Sequence, residues 1–209
     1  MVYILVSGRR GFVGMAGQSK HPGREKVIYI DIRAIELEAD AICDDWKMIV
    51  ENRKRFTEGD PRWDPAMQGI YSAIASAGVP EVRNAFIKER FEGTMAHECK
   101  HIADIGRSFS PVDKETRAIM AELMTTPLVL HDLEISQTNK SSERIIMRAV
   151  AGRVLNGLLS FGDVLTKRDL YKLSRQEIAR RAQALYVRWY RTLEPPAEWC
   201  TKRARYARK

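Results

Sequence analysis

The sequence has little cysteine, little histidine and no long apolar run, and each shortage closes off a class of protein. Its three cysteines among 209 residues, Cys43, Cys99 and Cys200, are odd in number and far apart. A small secreted scaffold needs paired cysteines at regular spacings, so no disulfide framework is expected. No apolar stretch approaches the roughly 18 residues that span a bilayer. The opening Val2-Tyr3-Ile4-Leu5-Val6-Ser7 is apolar but short, with no basic residue before it and Arg9-Arg10 after it. It reads as a strand and not as a signal peptide. These features predict a cytoplasmic protein without a membrane span.

What is present is a globular composition, 44% hydrophobic and 30% charged, enough for a core in one domain or one domain with an appendage. Acidic residues are scarce toward the C-terminus. Residues 143–209 hold 16 Lys/Arg against 6 Asp/Glu, so the net charge of +8 resides there and the first 142 residues are slightly acidic. A basic C-terminal third can meet nucleic acid or an acidic partner, or can simply be a solvated helical face.

Residues 2–7 and 27–32 are rich in β-branched and aromatic residues and predict strands, with a glycine-rich candidate edge strand at 12–17 between them. From Ala34 to about Arg55 apolar residues recur at three- and four-residue intervals, predicting a long amphipathic helix. Gly59-Asp60-Pro61 and Asp64-Pro65 break the chain, a further helix is expected at 66–76, and Gly78-Val79-Pro80 separates it from the next. That next helix is expected from about Glu81 to Ile105, with Gly106 as its C-terminal stop.

This helix carries the chemistry. It contains His97-Glu98-Cys99-Lys100-His101, an H-E-x-x-H pattern. At 100° per residue the two histidines sit one turn apart on one face, where both imidazoles can reach one metal ion. Glu98 lies beside that face, placed to take a proton from water activated by the metal without being a ligand. Cys99 falls on the opposite face and reads as a small core residue. Asp104 returns to the histidine face, where it can accept the free N–H of a ligand imidazole or act as a charge near the helix end.

The stretch resembles the active-site helix of the zincin metallopeptidases. The resemblance implies an early mixed sheet whose edge strand lines the cleft, and Zn²⁺ held by three protein ligands. The metzincin extension would place glycine and a further ligand at the positions of Asp104 and Arg107, so the gluzincin branch is the closer one. There the third ligand is a glutamate from a later helix. After a loop at 108–112, with Asp113 as a helix cap, Glu115-Thr116-Arg117-Ala118 fits the gluzincin pattern E-x-x-A. The run from Glu115 to Pro127 is similar to the second motif of the small regulatory metallopeptidases related to ImmA/IrrE. Glu115 is thus the implied ligand, and Glu122, seven residues on along the same face, is the rival or the partner of a ligand histidine. The same resemblance assigns oxyanion stabilisation to a downstream histidine or tyrosine, for which His131 is the candidate.

Beyond this, Thr126-Pro127 can restart a helix, residues 136–142 read as a loop, and 143–159 as an amphipathic helix. Ser174-x-x-Glu177 is a capping-box signature for a last helix to about Leu193, with Tyr186, Trp189 and Tyr190 among arginines. These aromatics can pack a helix or stack on bases. A basic tail follows from 202 to 209.

The expected fold is α+β and mainly helical: a zincin-like core over 1–135, and a basic helical part over 136–209 packed on it. The expected activity is that of a zinc endopeptidase acting on peptide or protein, with His97, His101 and Glu115 on the metal and Glu98 as general base. The alternative is an inactive zincin-like or binding module whose basic C-terminal helices contact nucleic acid or an acidic partner.

Overall fold

A computed structural model describes the backbone of residues 2–7, 17–20, 26–52, 79–138, 145–164, 166–191 and 204–208. The described chain is mainly helical. Four short strands form a mixed sheet: β1 (Val2–Ser7), β2 (Gly17–Lys20), β3 (Lys26–Asp31) and β4 (Ala204–Arg208), in the order β2-β3-β1-β4. β1 runs parallel to β3, with Val2 opposite Lys26, and parallel to β4, with Val2 opposite Ala204. β2 is antiparallel to β3 and forms one edge. The candidate edge strand at 12–17 thus meets β2 only at Gly17; residues 12–16 lie outside the described residues, as does the helix expected at 66–76. Residues 204–208, read from the sequence as tail, pair their backbone with β1.

The helices are α1 (Ile32–Asn52), α2 (Val79–Ala103), α3 (Pro111–Leu123), α4 (Val129–Thr138), α5 (Ile145–Leu159), α6 (Lys167–Leu170) and α7 (Arg175–Tyr190). α2 ends two residues before the predicted Ile105, and Gly106 takes the left-handed conformation at φ +78° that reverses the chain. α3 starts earlier than Asp113. Ser110 is its N-cap, accepting the Asp113 backbone N–H at 3.1 Å, and Pro111 opens the first turn. α4 runs on to Thr138, beyond the expected start of a loop at 136. Ser174 caps α7 through the Glu177 N–H, as its sequence signature implies, and Arg191 at φ 51° closes the helix two residues before the expected Leu193.

Clusters of apolar side chains hold the functional helix and its neighbours in place. Ile28 and Ile30, alternate residues of β3, are fully buried against Ile35 and against Met95, Cys99 and Ile102 of α2. On a helical wheel those three residues lie at about 140–200° from His97, so the sheet backs α2 and leaves the histidine face turned away. Cys99 is therefore in the core, as its angle predicts. It is also disulfide-bonded, whereas Cys43 is a free thiol. The second core joins α3, α4, α5 and α7 through Met120, Leu130, Leu133, Val154, Leu158 and Leu185. It runs across the boundary expected at 135–136. Tyr186 is 3% exposed, Trp189 rests on Gly157, and Tyr190 packs on this core, so the aromatic residues of α7 are turned inward. No helix among the described residues is long and apolar enough to cross a membrane.

Candidate metal centre

α2 and α3 pack against each other as an antiparallel hairpin joined by 104–110, and this pairing builds the centre. His97 and His101, one turn apart, bring their Nε2 atoms to 3.1 Å. Glu115, in the second turn of α3, sits across from them, with Oε1 3.4 Å from His101 Nε2 and Oε2 3.6 Å from His97 Nε2. One donor atom from each of the three lies within 4.8 Å of the others. The three side chains are partly exposed, at 17%, 18% and 31%, so the donors are reachable from solvent.

Glu122 has a different place. It lies nearly two turns further along α3, and its Oε2 accepts a hydrogen bond from His97 Nδ1 at 3.2 Å. With Nδ1 engaged by Glu122, Nε2 is the nitrogen turned toward His101 and Glu115, and once deprotonated it would offer its lone pair to a cation. Its side chain is only 8% exposed, and its other oxygen lies 3.7 Å from Arg90 Nη1. The structure thus brings Glu115 into the donor set and turns Glu122 to the back of His97.

Glycine makes this possible at one position. A Cβ on Gly93, one turn before His97, would lie 2.6 Å from Thr126 Cγ2 and 3.3 Å from Glu122 Cγ. Only hydrogen at that position lets α3 approach closely enough for Glu122 to reach His97. In the sequence Gly93 counts as a cost of about 1 kcal/mol to the helix.

The electrostatics follow from these contacts. Burial of the His97 imidazole opposes its protonation, yet the hydrogen bonds to Glu115 and Glu122 and the charge of Glu98 push it up to about 10. Burial would raise the Glu115 carboxyl, but His101 and His97 hold it well below the usual carboxylate range. Glu98 is 7% exposed and has no hydrogen bond or ion pair with a described residue, so its carboxylate is not committed to the scaffold.

Two other expected site residues have no hydrogen bond or ion pair to the donors among the described residues. Asp104 does not hold an imidazole. Its carboxylate accepts a bidentate pair of hydrogen bonds from Arg117, Nε at 2.7 Å and Nη2 at 3.0 Å, with both side chains 1% exposed. Arg117 is accordingly buried. Nδ1 of His131 on α4 is buried without a hydrogen-bond partner, and no hydrogen bond or ion pair among the described residues joins His131 to the histidines or Glu115. Lys100, the charged residue inside the motif, lies 3.4 Å from Asp104 Oδ1 and 5.5 Å from the Tyr186 ring centroid, so its charge is matched away from the donors.

Sequence reasoning missed Arg90. It is 7% exposed and binds both oxygens of Glu38 on α1 and of Asp132 on α4, besides its approach to Glu122. Burial works against its charge, but Asp132 and Glu38 more than offset this and hold it above the ordinary guanidinium range. A signal existed: Arg90 is seven residues before His97 and therefore on the histidine face, an unusual place for an unpaired charge.

Two imidazole nitrogens and one carboxylate oxygen, converging from rigid helices, suit a divalent transition metal and leave room for a non-protein ligand. No family model matches the chain, and neither a curated protein nor a solved structure does.

Proposed function

We propose that this chain is a zinc-dependent peptidase of the zincin type, with His97, His101 and Glu115 as the metal ligands. One observation carries the reading: the H-E-x-x-H histidines and a glutamate from the following helix bring three donor atoms within 4.8 Å of one another. A cation held there supplies Lewis acidity, which activates water at neutral pH and polarises a carbonyl.

The chain's own residues do the rest. Glu98, buried beside His97 and with no hydrogen bond or ion pair to a described residue, accepts the proton that the attacking water loses and delivers it to the leaving amine. Glu122 fixes the His97 tautomer, and Arg90 fixes Glu122. Glu122 is thereby unavailable for a substrate amino terminus, which favours internal cleavage. β2, an edge among the described strands and packed beside α2, is the strand to which an extended peptide would add.

The binding-module alternative is less supported, because Tyr186 is buried and Trp189 and Tyr190 pack partly buried against the core, which engages the aromatics that would stack on bases. Elemental analysis of the chain and of His97→Ala, purified without chelators, tests the reading. We expect about one zinc per chain, lost in the variant. In Glu98→Gln, zinc should stay while peptide hydrolysis falls by roughly 10²–10⁴-fold. A chain that takes up no metal even when zinc is supplied refutes the proposal, and full activity in Glu98→Gln removes Glu98 from the mechanism.

A further inference from the structure

Asp104 and Arg117 are the most deeply buried ion pair among the described residues, each side chain being 1% exposed. Neither touches the three donors. Arg117 is held as well by aromatic faces, its guanidinium carbon lying 4.3 Å from the ring centroid of Phe109, 4.8 Å from Tyr190 and 5.0 Å from Tyr186. Removing two charges from water is costly, and a buried pair of this kind can often be replaced by apolar residues without loss of stability. Stability alone is therefore a weak reason for it. Its place in the hairpin gives a better one.

Asp104 follows His101 by three residues at the end of α2, and Arg117 follows Glu115 by two residues on α3. The planar fork of the guanidinium fixes both distance and orientation between the two helix segments, which a point charge would not do. At the far end of the hairpin, the Gly93 contact and the Glu122–His97 hydrogen bond set the other helix crossing. His101 lies between these two fastenings on α2, His97 takes part in the second, and Glu115 stands two residues before Arg117 on α3, beside the first.

We infer that Asp104 and Arg117 are a positioning pair for the metal centre, setting how far Glu115 reaches toward His101 without touching the ion or the substrate. The inference rests on the reading of His97, His101 and Glu115 as ligands. Its effect is on the geometry at the cation, so the readout is the cation itself.

The test uses the full chain loaded with Co²⁺, whose visible absorption reports coordination geometry, and a zinc titration against a chromophoric chelator. Arg117→Lys keeps the charge and loses the fork; Asp104→Asn keeps the shape and loses the charge, and is read in the same way should the lysine variant fail to fold. Both are measured well below their melting temperatures. Cobalt bands moved in position and intensity, with zinc affinity weakened by roughly 10–100-fold, are expected. A folded variant with the wild-type cobalt spectrum and wild-type zinc affinity overturns the positioning role and leaves the ligand assignment standing, since a merely structural pair would lower the melting temperature alone. Wild-type chain that binds neither metal overturns the ligand assignment and this inference together.

Discussion

Replacing Gly93 by alanine sets two effects of opposite sign against each other. Helix propensity favours alanine in a helix interior by about 0.8–1.0 kcal/mol. Packing opposes it, because the new methyl would lie 2.6 Å from Thr126 Cγ2, roughly 1 Å inside an ordinary carbon–carbon contact. Thr126 cannot turn aside cheaply. It is fully buried, its hydroxyl donates to Glu89 Oε2 at 2.8 Å, and it accepts the Leu128 N–H at 3.3 Å. Overpacking of this kind costs about 1–3 kcal/mol. With Glu122 Cγ also only 3.3 Å away, the upper part of that range applies, and a net loss of about 1–2 kcal/mol remains after the propensity gain. The same displacement moves Glu122 away from His97 Nδ1 and should weaken zinc binding by about tenfold. Urea denaturation in excess chelator measures the first quantity, and a competitive zinc titration measures the second. A Gly93→Ala chain about 1 kcal/mol more stable than wild type, with unchanged zinc affinity, would refute the close approach of α3 to α2.

Two further outcomes follow from the same contacts. Glu122→Gln keeps the shape but weakens the hold on His97 Nδ1, so zinc affinity should drop by roughly 10–100-fold with little change in secondary structure; an unchanged affinity would deny Glu122 its orienting role. With a chelator present, stability should depend on pH through His97, whose pKa is raised from 6.5 to about 10 by its carboxylate neighbours. That contribution is fully present below about 6.5 and is lost as pH rises through 10, so the melting temperature should fall across this interval, whereas saturating zinc should flatten the alkaline fall. A melting temperature that is flat from pH 6 to 10 in chelator would contradict the placement of His97 between two carboxylates.

The parts of the site that were legible in the sequence are those fixed by helical periodicity. His97 and His101 share a face because they are four residues apart, and Cys99 is in the core because it lies opposite them. Gly106 and Ser174 mark helix ends through local backbone chemistry that needs no tertiary context. Glu115 and Glu122 could not be separated in this way. Their seven-residue spacing puts both on one face, and only their depth along α3 distinguishes them. In the antiparallel hairpin the chain returning from Ser110 meets His101 first and His97 later, so the earlier glutamate reaches the donor side and the later one reaches behind His97. Asp104, Arg117 and Arg90 escaped for a related reason. Each looks like a surface charge in its own helix, and its partner comes from another helix. Gly93 had the wrong sign in the sequence, as a defect in a helix, because the benefit of a missing side chain appears only when a second helix is present.

The charges around His97 also bear on what the centre is built to hold. Glu122 faces Arg90, and the two form a nearly neutral pair at the back of the histidine, with side chains 8% and 9% exposed. Arg90 is matched again by Glu38 and Asp132, whose side chains reach solvent at 35% and 43%. On the front of the histidines two carboxylates remain, Glu115 and Glu98, with no described arginine or lysine paired to either. An uncompensated buried carboxylate is among the more costly features a fold can carry. Buried Glu98 and partly exposed Glu115, beside the two imidazoles, together carry the charge that a divalent cation would neutralise. Hydrogen bonds to Glu115 and Glu122 and the nearby carboxylate charges favour a protonated His97, pushing its pKa up to about 10; a cation would take that proton's place. Among the described residues Glu98 has no hydrogen-bond or ion-pair partner, and a base that must accept a proton from water and give it up again requires that freedom.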